Sequence, residues 1–270
     1  MGLSNIQVIT WNYLFCVITG CLLRGSVETD MQVLFGPIGR WALLTGIMFV
    51  VSFSITAYTA QKSGVAIASV AGKLSLAIPF IFSVILYGEE VRFWKLTGVI
   101  IALLAVYLTC LPAGGFRGKE NRAGGTLIWL LPFTLFFLSG LIDTVVKYVE
   151  TSYLSAGFRD DYLIFSFATA FAGGSVALIF RYLRFNEKLD FRNMIAGLCI
   201  GIPNYASIWS LIEVLKLNAG NSTFVIPVNN IGIVLFGTFM AWFLFEERIS
   251  LKNWFGILLA LSAILLIAFG

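Results

Sequence analysis

The chain has 270 residues, of which 59% are hydrophobic and 12% are charged, and its net charge at pH 7 is +4. Soluble proteins are about 45–50% apolar and about 25% charged, so this composition excludes a water-soluble globule, a disordered chain and a nucleic-acid-binding protein with a basic face. The sequence has no histidine, which excludes zinc hydrolases and Ser-His-Asp enzymes, and we predict no enzymatic activity.

Nine apolar segments follow one another along the chain. Each is nearly free of Asp, Glu, Lys and Arg and has roughly the 17–25 residues that a membrane-spanning helix needs. The polar connections are too short to form a domain, and the chain has no phosphate-binding loop, so ATP hydrolysis is excluded. We therefore predict an all-α integral membrane protein with nine transmembrane helices, at residues 1–23, 41–61, 63–88, 96–116, 123–142, 162–180, 193–212, 217–245 and 253–270.

The first segment lacks the basic start and the small-residue cleavage site of a signal peptide, so we expect it to remain in the mature protein. It contains Cys16 and Cys21. The other cysteines, Cys110 and Cys199, also lie in apolar surroundings, and no two cysteines have CxxC spacing. We expect unreactive thiols, with no disulfide, no metal and no cofactor.

The third segment contains Lys73 near its middle, where a charged side chain costs about 2.5–3.5 kcal/mol. One interpretation is that Lys73 faces a cavity, where it attracts an anionic group of a substrate or cycles its proton. The other is that it forms a fixed ion pair or a hydrogen bond to the carbonyl of a broken helix. We favour a substrate-binding role.

The end of the fifth segment and the seventh segment supply acidic residues. Asp143 and Lys147 are four residues apart on one helix face, and Glu213 lies near the end of the seventh segment. Asp143 and Glu213 are candidates for proton coupling, because a desolvated carboxyl group can titrate in a useful range. A stable structural pair with Lys147 is the alternative for Asp143.

The seventh segment also combines a helix breaker with polar and aromatic side chains. Pro203 is followed by Asn204 and Tyr205, and Trp209 lies one helical turn after Tyr205. We predict that Asn204, Tyr205 and Trp209 bind substrate at the wall of a cavity. The alternative is a kink with ordinary aromatic packing.

An internal repeat divides the nine segments into two halves. Glu89 and Gly98, after the third segment, match Glu247 and Gly256, after the eighth, at a constant separation of 158 residues. Segments two to four thus pair with segments seven to nine. Because the third and eighth crossings run in opposite directions, the repeats are inverted. We predict a first repeat of four helices over 1–116 and a second repeat of five helices over 123–270.

The same separation places Asn229 and Asn230 of the eighth segment opposite Ala71 and Gly72, at a depth similar to that of Lys73. A site near the repeat axis and the bilayer midplane is typical of carriers. Asn229 and Asn230 are therefore predicted to bind substrate, with helix-to-helix hydrogen bonding as the alternative.

The chain resembles EamA-type transporters of the drug/metabolite transporter superfamily. The resemblance rests on Pro79, on Gly88-Glu89 with Gly98, and on Glu247 with Gly256; the chain departs from the pattern at Pro227, which comes early, and at Glu246, which replaces a glycine. It implies a ten-helix pattern from which this chain lacks the first helix. It also implies ATP-independent alternating access around a central cavity, and export, with a cytoplasmic C-terminus, although the Lys and Arg distribution among the loops favours the reverse orientation.

These observations together predict a secondary transporter, an exporter of a small polar or amphipathic metabolite, with several passes through the plasma (inner) membrane. Its expected partners are the small-molecule substrate and the lipid bilayer, with no nucleic acid, and a homodimer is an open alternative to a monomer. The rival prediction is a membrane sensor or retinal-type receptor that uses Lys73 as its chromophore anchor. The inverted repeat favours transport, because a receptor has no use for two mirrored halves.

Overall fold

In the computed structural model, residues 3–24, 35–87, 93–109, 125–153, 159–217, 222–246 and 250–269 are described. Over these ranges the regular secondary structure is entirely helical, as predicted. The helices, numbered in chain order, are α1 (Asn5–Arg24), α2 (Pro37–Ser63), α3 (Val65–Leu74), α4 (Ala77–Tyr87), α5 (Phe93–Thr109), α6 (Gly125–Tyr153), α7 (Arg159–Phe185), α8 (Phe191–Leu217), α9 (Ser222–Phe243) and α10 (Leu251–Phe269).

The helices have the length and hydropathy of membrane spans. Within the described ranges, six stretches are long and apolar enough to cross a bilayer, at Asn5–Arg24, Pro37–Ser63, Val65–Phe82, Leu130–Val149, Asp160–Phe185 and Leu251–Phe269; shorter apolar helices lie at Phe93–Ala105 and Asn229–Phe243. A hydrocarbon core can be crossed only by structures that satisfy their own backbone groups, as these helices do. The prediction of an all-α multi-pass membrane protein is confirmed. The predicted number of nine crossings agrees with the described helices approximately.

Two predicted segments differ from the helices observed. The third segment is not one helix but two, α3 and α4, with a turn at Ser75 and Leu76 between them. The fifth segment was expected to end at residue 142, whereas α6 runs on to Tyr153. The predicted segment ends before the first charged residue, but a membrane helix can continue past such a residue. Asp143 and Lys147 therefore lie within α6.

The chain forms two compact units, and each unit contains helices from both predicted repeats. Unit 1 comprises Met1–Ser54 and Val145–Val214, which hold α1, most of α2, the end of α6, α7 and α8. Unit 2 comprises Ile55–Thr144 and Leu215–Gly270, which hold α3, α4, α5, most of α6, α9 and α10. The repeat boundaries at 1–116 and 123–270 therefore do not coincide with these units, and they remain a sequence prediction.

In unit 1, α1 and α7 lie antiparallel to each other along most of α1. Arg24, at the end of α1, forms a salt bridge with Asp161 at the start of α7. Farther along, Gly20 faces Ile164 and Thr10 faces Gly174. Under the predicted repeat these two helices occupy equivalent places in the two halves, and an inverted repeat requires such helices to run in opposite directions.

A pair of glycines lets α8 approach α1 closely in the same unit. A Cβ atom on Gly197 would lie 2.9 Å from the backbone nitrogen of Asn12 and would also collide with Trp11. A Cβ atom on Gly201 would lie 2.6 Å from the carbonyl oxygen of Asn12. Glycines four residues apart are the common means by which membrane helices bring their backbones together, since apolar surface alone gives little driving force in lipid.

A polar network joins the start of α1 to the turn between α7 and α8. The buried Gln7 side chain donates to the carbonyl of Lys188 at 3.0 Å and accepts from the backbone N–H of Asp190 at 3.0 Å and from the Asn193 amide at 2.8 Å. Beside it, Glu187 accepts a 2.7 Å hydrogen bond from the Ser4 hydroxyl. These bonds fix the position of α1 at this end of unit 1.

Unit 2 is built around an apolar core in which the broken span is central. At one end of the α5 and α10 pair, a Cβ atom on Gly98 would lie 2.9 Å from the backbone nitrogen of Ile267, so the start of α5 meets the end of α10 and the two helices are antiparallel. The fully buried core residues come from α3, α4, α5, α6, α9 and α10, and include Val70, Leu74, Ala77, Ala102, Phe136, Val234, Ala260 and Ile264.

We predict that Gly197→Ala destabilises the protein, whereas Gly173→Ala does not. Alanine favours a helix over glycine by about 1 kcal/mol, so both changes gain the same helix propensity. At Gly197 that gain is outweighed by the collision with the α1 backbone, while a Cβ atom on Gly173 meets only Val50 at an ordinary 3.9 Å. The measurement is the thermal unfolding midpoint of each variant in the same detergent. A lower midpoint for Gly173→Ala than for Gly197→Ala would contradict the close-contact assignment.

Because the pKa of Glu187 is lowered in the folded protein, we expect part of the free energy of unfolding to depend on pH. The Ser4 hydroxyl and the Arg181 guanidinium stabilise the carboxylate and lower its pKa below the ordinary value, although partial burial opposes them. A carboxyl group whose pKa is lowered on folding adds stability above its ordinary pKa, near about 4.3, and this contribution is lost as the pH falls through the folded-state pKa.

We therefore expect Glu187→Gln to lower the thermal midpoint at neutral pH, and we expect the difference from the wild type to shrink as the pH falls below about 4. Asp190→Asn is the control, because among the described residues that side chain accepts a hydrogen bond only from the backbone N–H of Arg192, two residues away. A gap between wild type and Glu187→Gln that stays constant across this pH range would refute the role given to the charge.

Candidate functional site

The candidate site begins with the break between α3 and α4 in unit 2. Pro79 has no backbone N–H, so it cannot bond to the carbonyl of Ser75 four residues earlier, and its ring disfavours a straight helix there. The N–H of Ile78 instead bonds to the Ser75 carbonyl at 2.9 Å, which tightens the turn. The Ser75 hydroxyl donates to the carbonyl of Gly72 at 2.7 Å. The break is thus closed by local hydrogen bonds, as lipid requires.

Helix α6 brings a carboxylate to this break. A Cβ atom on Gly140 would lie 2.6 Å from the Cβ of Ile78 and 2.8 Å from the carbonyl oxygen of Ser75, so only glycine allows α6 to approach so closely. Asp143 follows Gly140 by about one helical turn and therefore lies on the same side of α6. Its Oδ2 atom is 3.4 Å from the Ser75 hydroxyl oxygen.

Lys73 lies in the last turn of α3, two residues before Ser75, and its side chain is half-buried. It attracts Asp143 electrostatically, but within the described part of the chain its ammonium group makes no hydrogen bond and no direct salt bridge. An ammonium group has three donors and no acceptor. Lys73 therefore carries hydrogen-bonding capacity that these neighbours leave unused.

The two charges match the partial charges at the ends of the broken helix. The last carbonyls of α3 carry partial negative charge and lie beside Lys73, whereas the first N–H groups of α4 carry partial positive charge and lie on the side of Ser75 and Asp143. Broken helices of this kind bind charged groups in transporters. The arrangement offers a cation and an anion at a depth where charges are otherwise rare.

A shallow cavity of about 360 Å³, open to the surface of the protein, lies between α3 and α9, also in unit 2. Ser69 is one helical turn before Lys73, so the two side chains project from the same face of α3. A Cβ atom added at Gly232 would meet no atom within 4 Å. The cavity is near the small end of the range for ligand pockets, and its lining is apolar apart from a hydroxyl and an amide group. The lining residues are Ser69, Asn229, Gly232, Ile233, Phe236 and Gly237.

Asn229 and Asn230, which were predicted to bind substrate together, lie in different environments. The Asn229 side chain is half-buried and lines the cavity. Asn230 is only 8% exposed and lies on the buried face of α9 with Val234. Of the two amides, Asn229 is the one placed where it can contact a ligand in this cavity.

The other three predicted substrate-binding residues belong to unit 1. The Asn204 amide donates to the side-chain oxygen of Asn12 on α1 at 3.3 Å. Tyr205 is only 2% exposed, and its ring lies 6.0 Å from the Phe167 ring, which gives it a packing role there. Trp209 is 42% exposed. Tyr205 is thus buried among other side chains in unit 1, and its predicted contact with substrate stays a prediction.

Several residues singled out in the sequence lie outside the described side chains, namely Glu213, Pro227, Glu89 and Glu247. Ser69, Ser75, Gly140 and Phe236 were not singled out as site residues, although they shape the site. In the sequence, such a role is indicated only by spacing. Ser69 is four residues before Lys73, and Gly140 is three residues before Asp143. The structure places Asp143 within electrostatic reach of Lys73. The alternative pairing of Asp143 with Lys147 stays a sequence prediction.

Comparison with known proteins identifies the kind of protein that this chain resembles. Residues 2–111 match the EamA-like transporter family, so the resemblance predicted from the sequence motifs is confirmed over that range. A Haemophilus influenzae protein described as uncharacterized is 28% identical over 265 residues, which make up 96% of this chain and 86% of that protein. The family match suggests a membrane transporter, which fits the prediction of a transport protein better than the receptor alternative.

Adjacent cysteine substitutions test the cavity. In a background in which the four native cysteines are replaced by serine, we expect Asn229→Cys to react with a small water-soluble thiol reagent and Asn230→Cys to react much more slowly. The physical reason is that only the first side chain lines the cavity. The measurement is the labelling rate of the folded protein in lipid nanodiscs. Equal rates at the two positions would contradict the assigned orientation of α9.

Proposed function

We propose that this protein is a secondary, ATP-independent transporter of the plasma (inner) membrane that exports a small amphipathic metabolite by alternating access. The observation that carries the proposal is Lys73, a cation at a helix break inside a membrane span and without a direct partner among the described residues. Placing a charge there costs about 2.5–3.5 kcal/mol, and such residues usually mark a transport pathway.

The cavity supports a substrate that is both small and amphipathic. Its volume of about 360 Å³ suits a metabolite rather than a peptide. Phe236 and Ile233 offer apolar contact, while Ser69 and Asn229 offer a hydroxyl and an amide. Lys73, on the Ser69 face of α3, supplies the group that would bind an anionic part of the substrate. Asn230, Asn204, Tyr205 and Trp209 remain proposed contributors, as do the proton-coupling candidates Asp143 and Glu213.

The test is transport by the purified protein in liposomes, measured with a panel of radiolabelled small metabolites and with no ATP present. We expect Lys73→Gln to lower the initial rate about 10- to 100-fold, because a hydrogen bond to a charged group contributes about 1.5–3 kcal/mol. Lys95→Gln is the matched control, since Lys95 begins α5 and lies over the Phe80 ring at 5.8 Å.

We expect the Lys95→Gln rate to stay within about twofold of the wild type. Two results would count against the proposal. One is a wild-type protein that transports no member of the panel, and the other is a Lys73→Gln variant that transports every substrate at the wild-type rate while it remains folded and monodisperse.

A further inference from the structure

The charges at the break form an incomplete pair. Asp143 and Lys73 attract each other, yet they form no direct salt bridge, and among the described residues the carboxylate accepts a hydrogen bond from the Ser75 hydroxyl at 3.4 Å. Because no direct salt bridge joins Lys73 to Asp143, another charged group can compete for either of them.

The elements packed around the break contribute few other charges. Helix α2, whose Ile55 and Ala60 pack against the same cluster as Ala68 and Ala71, carries Lys62 in its last turn. The sequences of α4 and α9 contain no Asp, Glu, Lys or Arg, and Lys73 is the only such residue in α3. The charged residues of α5 and α10, Lys95 and Lys252, lie in the first turns of those helices. On α6, Lys147 follows Asp143 by one turn, and Glu150 follows by two turns with a side chain that lies outside the description.

An anion that binds to Lys73 changes this local charge balance. Before binding, one carboxylate and one ammonium offset each other. After binding, the break holds a second negative group, so its charge is one unit more negative than before. Taking up one proton at Asp143 restores the original balance, and the proton comes from bulk water, so no oxidant or second reactant is needed.

We propose that an anionic group of the substrate displaces Asp143 as the counter-charge of Lys73, and that Asp143 then takes up one proton, so that one anion and one proton occupy the site together. This inference rests on the transport function proposed above and specifies its coupling. Because substrate charge and proton charge cancel, the loaded and empty sites carry the same charge. The Ser75 hydroxyl, 3.4 Å from Asp143, can accept a hydrogen bond from the protonated carboxyl group.

Linkage between anion binding and proton uptake predicts how the affinity for the anion depends on pH. If each bound anion brings one proton, the affinity for the anion rises as the pH falls, by up to tenfold per pH unit where Asp143 is ionised in the free protein. A neutral compound of the same shape shows no such dependence. Replacement of Asp143 by asparagine, which removes the titrating group, abolishes the dependence on pH and leaves Lys73 available to the anion.

The experiment measures ligand binding and proton uptake together, by calorimetry in buffers of different ionisation enthalpy, on the full chain in nanodiscs. The probes are phenylacetate, hexanoate and indole-3-acetate, each compared with its uncharged primary amide. For the wild type we expect a carboxylate to bind with uptake of about one proton, and for Asp143→Asn we expect binding of the same carboxylate with no proton uptake. Asp143→Glu, which keeps a carboxyl group, retains the uptake.

Each remaining outcome overturns the inference. It is wrong if a carboxylate binds to the wild type without proton uptake, if Asp143→Asn still takes up a proton, or if none of the carboxylates binds. The wild-type measurement alone decides the first and third cases, so the test does not depend on the variants folding. Transport of the metabolite panel separates the two proposals: a protein that transports but shows no proton linkage keeps the proposed function and loses only its coupling.

Discussion

A break in a membrane helix exposes backbone carbonyl and N–H groups to a medium that cannot hydrogen-bond them, and this cost governs the structure around residue 75. Pro79 removes a helical hydrogen bond at the break, and the Ser75 hydroxyl and the Ile78 N–H satisfy part of what the break exposes. The remaining partial charges at the two helix ends are matched by Lys73 and Asp143. The charges and the break therefore stabilise each other, and both would be unfavourable alone.

Close backbone contacts keep this arrangement in place. In unit 2, Gly140 sets the distance between α6 and the break, and Gly237 is in contact with Ser69 at the edge of the cavity. In unit 1, Gly197 and Gly201 set the distance between α1 and α8. Lipid provides no hydrophobic force between helices, so packing of this kind, together with hydrogen bonds, holds a membrane fold together. A rigid frame is also what a binding site requires if its charged groups are to hold their distances.

The sequence is sufficient for the class of fold because runs without charge report directly on burial in lipid. It also identifies Lys73, since a lone charge inside such a run is conspicuous. It does not reveal that Asp143 reaches the same point, because partners from different helices leave no trace in sequence spacing. The break after Leu74 could be suspected from Pro79, but proline alone does not separate a kink from two helices. Tyr205 looked like a cavity residue because an aromatic side chain beside a proline suits either a cavity wall or a packed interior.

The two glycines with free space beside them, Gly72 and Gly232, have a consequence for the evolution of such proteins. At Gly140, Gly197 and Gly201 a methyl group would meet the backbone of a neighbouring helix, so change there is constrained by folding. At Gly72 and Gly232 a Cβ atom would meet no atom within 4 Å. Packing between the helices therefore does not select for glycine at either position.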